Sequence, residues 1–296
     1  MGTSSLLQAR QIAYAQLLHS PDSGVEVPGG VYDGEKGITQ RFVTSVTLAN
    51  GINQTAGFMA YCPSTGNYLA AGVGTTASVL SPAFTNSAAP GAAFLGLNAA
   101  KSRGIACKLE IIPSAVSVTN IVGEVCAGVT TSNTFPSGSY TIDTIFNAAK
   151  AYGPIQRKVY TSRWYPSGLD HTYNTYNSAP NEDHNLVFIA FRNWPATATL
   201  QVRVTYVVEY TMKPDLGIPP TGAVSTPVQH AAVIDQLHKS DPHWHHSILD
   251  DFKDAAKTVS KDASSFVKAA ARHGLVSLGE EMVKVIPRAL SLPVLM

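Results

Sequence analysis

Four histidines, His238, His243, His245 and His246, crowd around Trp244 in one short stretch. Histidine changes charge between about pH 5 and 8, so protonating several at once would make them repel and loosen whatever they pack against. The same composition would also serve an exposed polar linker, or hold Zn²⁺ or Ni²⁺ without purpose. A second polar group, Asn181-Glu182-Asp183-His184, follows a Tyr- and Asn-rich segment that starts at Tyr165. Calcium takes oxygen ligands gathered from loops, so Asp170, Glu182 and Asp183 are candidate Ca²⁺ ligands, at a subunit interface if anywhere; the plainer reading is a solvated loop. Tyr165, His171, Tyr173 and Tyr176 make this long polar loop a candidate contact for an outside partner or a neighbouring subunit.

A third group lies near the end of the sequence. Ser247-Ile248-Leu249-Asp250 is a capping-box pattern, followed by Phe252, Ala256, Val259, Ala263, Phe266 and Ala270 at spacings of three and four. His273-Gly274 is a matching stop, and a shorter helical pattern opens at Ser277 and ends at Pro287. Lys253, Lys257, Lys261, Lys268 and Arg272 accompany the apolar stripe, a combination suited to RNA or to a membrane interface. Against these groups, motifs for catalysis are missing: no Gly-x-x-x-x-Gly-Lys phosphate loop, no His-Glu-x-x-His pair and no Gly-x-Ser-x-Gly elbow.

The elements that must position these groups are mostly strands. Phe42, Thr44, Val46 and Leu48 alternate with Val43, Ser45 and Thr47; Ile105, Cys107, Leu109 and Ile111 alternate with Ala106, Lys108, Glu110 and Ile112. The longest alternation runs from Leu200 to Met212, and 57–62, 68–73, 118–129, 158–164 and 186–191 read as further strands. Residues 140–149 fit a strand or a short helix, and 74–100 reads as a loop that could hold one. About eight strands with irregular connections and no intervening helical repeats predict an antiparallel sandwich, and a jelly roll is the commonest eight-strand solution. Residues 4–19 carry a short helical pattern that stops at Ser20-Pro21, and the Gly- and Pro-rich stretch to Gly37 reads as an extended arm.

Charged residues make up 14% of the 296, against about 25% in ordinary soluble domains, so something other than solvated charge must cover much of the surface; repeated subunit contacts would do so. A net charge of +1 argues against a dedicated nucleic-acid-binding module. Cys62, Cys107 and Cys126 show no metal-type spacing and fall in or beside strand-like runs, which predicts buried reduced thiols.

Several segments in sequence order resemble the shell domain of nodavirus-like and tombusvirus-like positive-strand RNA virus coat proteins. They are Ser102-Arg103-Gly104 leading into 105–112, then Val122-Gly123-Glu124-Val125, Ser162-Arg163-Trp164-Tyr165-Pro166, 186–191, and the terminal run Val208-Glu209-Tyr210 before Lys213-Pro214. The resemblance spans about residues 38–215 and implies an icosahedral shell of many copies around viral RNA, with the terminal arms inside. Two departures stand out. Family arms are rich in Lys and Arg, whereas residues 1–37 offer only Arg10 and Lys36. Nodavirus coats self-cleave after an Asn upstream of their amphipathic helix, and no Asn follows Asn193 here.

The expectation is therefore an all-β chain: an N-terminal arm with a short helix (1–37), an eight-stranded antiparallel jelly-roll sandwich (38–215), a linker (216–246) and an α-helical C-terminal tail (247–296). Its expected role is that of a non-enzymatic coat subunit whose partners are itself, viral RNA, and a host receptor or membrane. A lectin-like jelly roll that stacks sugars on the Tyr-rich loop is the alternative.

Overall fold

Hydrophobic alternation and turn residues set the strands, and the central strands of the sheets are buried on both faces over much of their length. The computed structural model describes residues 3–50, 54–73, 89–114, 123–135, 141–149, 151–155, 159–195, 199–216, 221–223 and 227–246. In chain order the elements are α1 (Thr3–His19), β1 (Glu35–Lys36), β2 (Ile38–Asn50), β3 (Ala56–Cys62), β4 (Asn67–Val73), α2 (Ala92–Asn98), β5 (Ala99–Ser114) and β6 (Glu124–Thr131). There follow α3 (Ile142–Ala148), β7 (Ala151–Pro154), β8 (Tyr160–Trp164), β9 (Asn174–Thr175), β10 (Asn185–Arg192), β11 (Thr199–Met212), β12 (Thr221–Ala223) and α4 (His230–Ser240).

One sheet has the order β2-β11-β5-β8, with β9 also pairing β5; the other has the order β4-β3-β10-β6-β7; β1 and β12 form a small ribbon. Every pairing is antiparallel. The chain passes back and forth between the two sheets, from β2 to β3 and β4, to β5, to β6 and β7, to β8, to β10 and to β11, which makes a jelly-roll-like sandwich. Among the described residues the two sheets hold ten strands where about eight are expected. The additions are β7 and β9. The expected strand at 68–73 is β4, folded back on β3 by the turn at Pro63-Ser64-Thr65-Gly66, where Gly66 takes φ +76° and donates its N–H to Cys62 O at 2.9 Å.

Three apolar layers hold the sheets. Between them lie Tyr61, Leu109, Trp164, Val187, Ile189, Phe191, Trp194, Val202, Val204 and Tyr206. Behind the second sheet, Phe58, Leu186, Phe188 and Ala190 pack against Ile142, Ile145 and Phe146 of α3. Behind the first, Ile105, Ala106 and Val207 meet Tyr14, Leu17 and Leu18 of α1 and Val233, Ile234 and Leu237 of α4. Because β10 is covered on both sides, 186–191 reads as a continuous apolar run rather than an alternation. Each large side chain so buried is worth roughly 1.5–3 kcal/mol.

Local chemistry explains where the sequence pattern was ambiguous. Residues 140–149 resolve as helix because Thr141 caps it, its Oγ1 accepting from Thr144 N at 3.3 Å, with Asp143 in the first turn. Simple alternation places Ile105 on the same face as Cys107; a register shift opposite Val207 and Val208 turns Ile105 instead toward the helices. The stretch expected as a linker, 216–246, contains α4, whose Val233, Ile234 and Leu237 form a buried stripe. The three cysteines are free and buried, and burial pushes the Cys62 thiol up to about 12. The expected helical tail, 247–296, lies outside the described residues.

Candidate functional site

The charged and imidazole side chains gather where the terminal segments meet the β2-β11-β5-β8 sheet, and they form two anchors. The first is centred on Arg103 of β5 and Glu209 of β11, direct neighbours in the strand register. Arg103 Nε donates to Glu209 Oε2 at 2.8 Å, and the two side chains are only 3% and 1% exposed. A buried ion pair is tolerated only when its remaining donors and acceptors are used. Here Arg103 Nη1 donates to Asp33 O (3.1 Å) and His171 O (3.2 Å), and Nη2 to Glu35 O (2.9 Å). Glu209 Oε1 accepts from Gly37 N at 2.8 Å. The guanidinium also lies 4.1 Å from the centre of the Tyr173 ring and 5.0 Å from that of Tyr32. Position 37 must be glycine, since a Cβ there would collide with the Tyr173 hydroxyl and with Tyr210 O. The pair thus pins the extended arm, residues 33–37, across two strands.

The second anchor contains the four histidines. Arg163 N on β8 donates to His245 O at 2.6 Å, Arg163 Nη1 to Trp244 O at 3.0 Å, and Ser162 forms an antiparallel bridge with His246. Residues 244–246 therefore line the edge of β8 that β5 leaves open. Tyr165 lies 4.8 Å from His238, 5.6 Å from His245 and 5.8 Å from Trp244, centre to centre. His238 is 5.7 Å from His245, which is 4.8 Å from His246, itself 5.3 Å from His243. The structure brings together all four histidines that the sequence singles out, and α4 is the element that delivers His238 to the others.

Two further histidines sit in the same layer. His19, at the end of α1, accepts Arg163 Nε through its carbonyl at 2.6 Å. Burial, then the Arg163 and Lys108 charges, depress its imidazole pKa to about 3. Burial, then His171 and Arg103, bring His230 down to about 4, with Asp33 opposing. Lys108 is itself paired with Asp22 (2.7 Å) and Glu110 (2.9 Å).

The candidate calcium ligands are not brought together. Asp170 is fully buried in a 3-10 turn (Gly168–His171), where its carboxylate accepts from Ser64 Oγ (2.6 Å), Ser167 N (3.0 Å) and Asn185 N (3.1 Å). Burial outweighs those hydrogen bonds and raises its pKa to about 6. Its oxygens are spent on joining three segments of the chain, while Glu182 and Asp183 are exposed on the neighbouring turn. Among the described residues no three His, Cys, Asp or Glu side chains are grouped to hold a metal ion. A cation at Glu182 and Asp183 would need oxygens from another subunit.

The rings of the proposed contact loop turn inward. Tyr165 joins the histidines, Tyr173 stacks on Arg103, and Tyr176 is buried in the core against Gly66; of the four, only His171 is exposed, its ring 5.7 Å from His230. The tail residues Phe252, Phe266, Lys253, Lys257, Lys261, Lys268 and Arg272 lie outside the described residues. Sequence reasoning missed Arg103, Glu209 and Arg163 as anchors, although a charge set inside an apolar strand was the available signal.

No family model and no curated protein matches this sequence. Solved structures do. The Gt strain of infectious bursal disease virus is similar with a TM-score of 0.53 at 9% identity, over 83% of this chain and 99% of that one. The T13 particle of the same virus gives 0.52 at 8% identity over 88% and 99% of the two chains, and its derived T=1 particles give 0.52 at 9% over 91% and 98%. The fold is thus one found in icosahedral virus particles.

Proposed function

We propose that this chain is the coat protein of a small non-enveloped virus, a structural and non-catalytic subunit that self-assembles into an icosahedral shell around an RNA genome. The observation that carries the reading is the extent of the likeness to viral particles: at 83–91% of the chain it reaches beyond the sandwich into the terminal segments. Many folds contain a β-sandwich, whereas a sandwich with a segment from before it and a segment from after it laid against one sheet is a more particular arrangement. Sparse charge supports it. So does the exposed apolar surface of α2, where Leu97, 74% exposed, and Phe94 lie next to the 213–216 turn bearing Leu216, which is tied to the helix by Lys213 N donating to Asn98 O at 2.9 Å. The lectin-like alternative loses its stacking rings to the interior.

The finer reading is a nodavirus- or tombusvirus-like coat, and it rests on the residue patterns at Arg103, Arg163 and Glu209. Arg10, one of two cations in the arm, donates to the carbonyls of Gly29 and Gly30, which leaves Lys253, Lys257, Lys261, Lys268 and Arg272 as the cations to face RNA or, on entry, a membrane. Expression of the full chain followed by negative-stain electron microscopy tests the coat reading. Uniform hollow spheres are expected; monomers or dimers at every salt and pH tried would overturn it.

A further inference from the structure

The two anchors hold the terminal segments by different means, and the histidine-rich one is fit to open. Residues 243–246 meet β8 through Arg163 N to His245 O (2.6 Å), Arg163 Nη1 to Trp244 O (3.0 Å) and the Ser162–His246 bridge. These contacts lie at the margin of the sheet, where the strand is short and no further strand covers it among the described residues. What presses the segment onto that margin is a cluster of rings packed mostly edge to face: Tyr165, His238, Trp244, His245 and His246, with His245 and His246 only 8% and 6% exposed. Imidazoles pack at these distances as neutral rings without penalty. Charged together, they repel at close range in a setting largely shielded from water.

We propose that this cluster is a proton-operated clasp: below about pH 6 the gathered imidazoles charge together and residues 243–246 leave the β8 edge. Every element packed around it contributes a charged or titratable group. From β8 come Arg163 and Tyr165, and from β5 comes Lys108 with its partners Asp22 and Glu110. The end of α1 contributes His19, and α4 contributes His238 with the exposed Lys239–Asp235 pair one turn away. The segment itself holds His243 and Asp241, whose carboxylate accepts His243 N at 2.8 Å. On the side where His19 sits, burial first and then the Arg163 and Lys108 charges hold its imidazole neutral, with Asp22 opposing.

The clasp lies within one subunit, so it stands or falls separately from the coat reading. Hydrogen–deuterium exchange of the full, unassembled chain at pH 7.5 and 5.5, corrected for the intrinsic pH dependence of exchange, tests it. At pH 5.5 the amides of 162–164 and 244–246 should lose at least about tenfold in protection while 204–208 in β11 stay unchanged. A variant carrying His238→Gln, His245→Gln and His246→Gln should keep the same amides protected at both pH values. Equal protection of the wild type at the two pH values overturns the proposal, as does a variant that opens as readily as the wild type. If the triple variant does not fold, His245→Gln alone is read by the same criterion, and the wild-type comparison remains decisive.

Discussion

The Arg103–Glu209 anchor and the histidine anchor fasten the segments before and after the sandwich to one sheet with opposite chemistry. In the first, a permanent guanidinium charge is matched by a carboxylate, and its remaining donors named above end on the backbone carbonyls of Asp33 and Glu35 in the arm and of His171 in the sandwich. In the second, backbone contacts at a sheet margin are backed by rings whose charge depends on pH. The comparison shows two ways of ordering a terminal segment. A satisfied buried ion pair makes the arm part of the core, whereas a packed imidazole cluster makes the other segment conditional.

The largest effect should come from breaking the first anchor. Glu209→Ala leaves the Arg103 charge buried without its carboxylate and Gly37 N without its acceptor, and should cost about 3–5 kcal/mol in urea unfolding. A double variant, Arg103→Met with Glu209→Leu, should recover most of that loss, since the penalty lies in the stranded charge. If the double variant is as unstable as the single one, the pair contributes more than mutual compensation.

A smaller, pH-dependent effect separates the anchors. His19 and His230 titrate in the folded chain at about 3 and 4, below the ordinary 6.5, so between those values the unfolded chain holds more protons. Their contribution is present above pH 6.5 and is lost as the pH falls toward 4 and 3. Asp170 has the opposite sign: its folded pKa of about 6 lies above the ordinary 3.8, so its contribution is full below 3.8 and lost as the pH rises through 6. Unfolding midpoints measured from pH 7 to 4 should therefore fall more steeply for Asp170→Asn than for the wild type, and less steeply for His19→Gln. Parallel curves for all three would remove these groups from the account.

The smallest effect marks the boundary of the second anchor. Lys239→Ala breaks an exposed ion pair with Asp235, two-thirds open to solvent, and should change stability by less than about 0.5 kcal/mol. It should also leave the pH dependence of 244–246 exchange untouched. A large shift would mean that this pair belongs to the clasp.

Much of the fold was legible because its signals are local. Alternation marked β2, β5 and β11, punctuation marked β3 and β4, and Ser20-Pro21 marked the end of α1. The site was legible only as an inventory. The four histidines were found by their crowding in sequence, but their partner, Tyr165, lies on another element and was read as a surface ring. Asp170 looked like a loop ligand because burial and hydrogen bonding to Ser64 and Asn185 leave no trace in its neighbours along the chain.

The sequence by itself determined where the principal strands would lie, that a short helix would precede them, and that the chain carries few charges and free thiols. These depend on side-chain periodicity and backbone preference over a few residues. Only the tertiary structure decided that Arg103 meets Glu209, that α1 and α4 share one face of one sheet, and that Trp244 to His246 close the β8 edge. Those contacts join residues far apart in the chain, and their energy exists only once the sandwich has brought the strands into register.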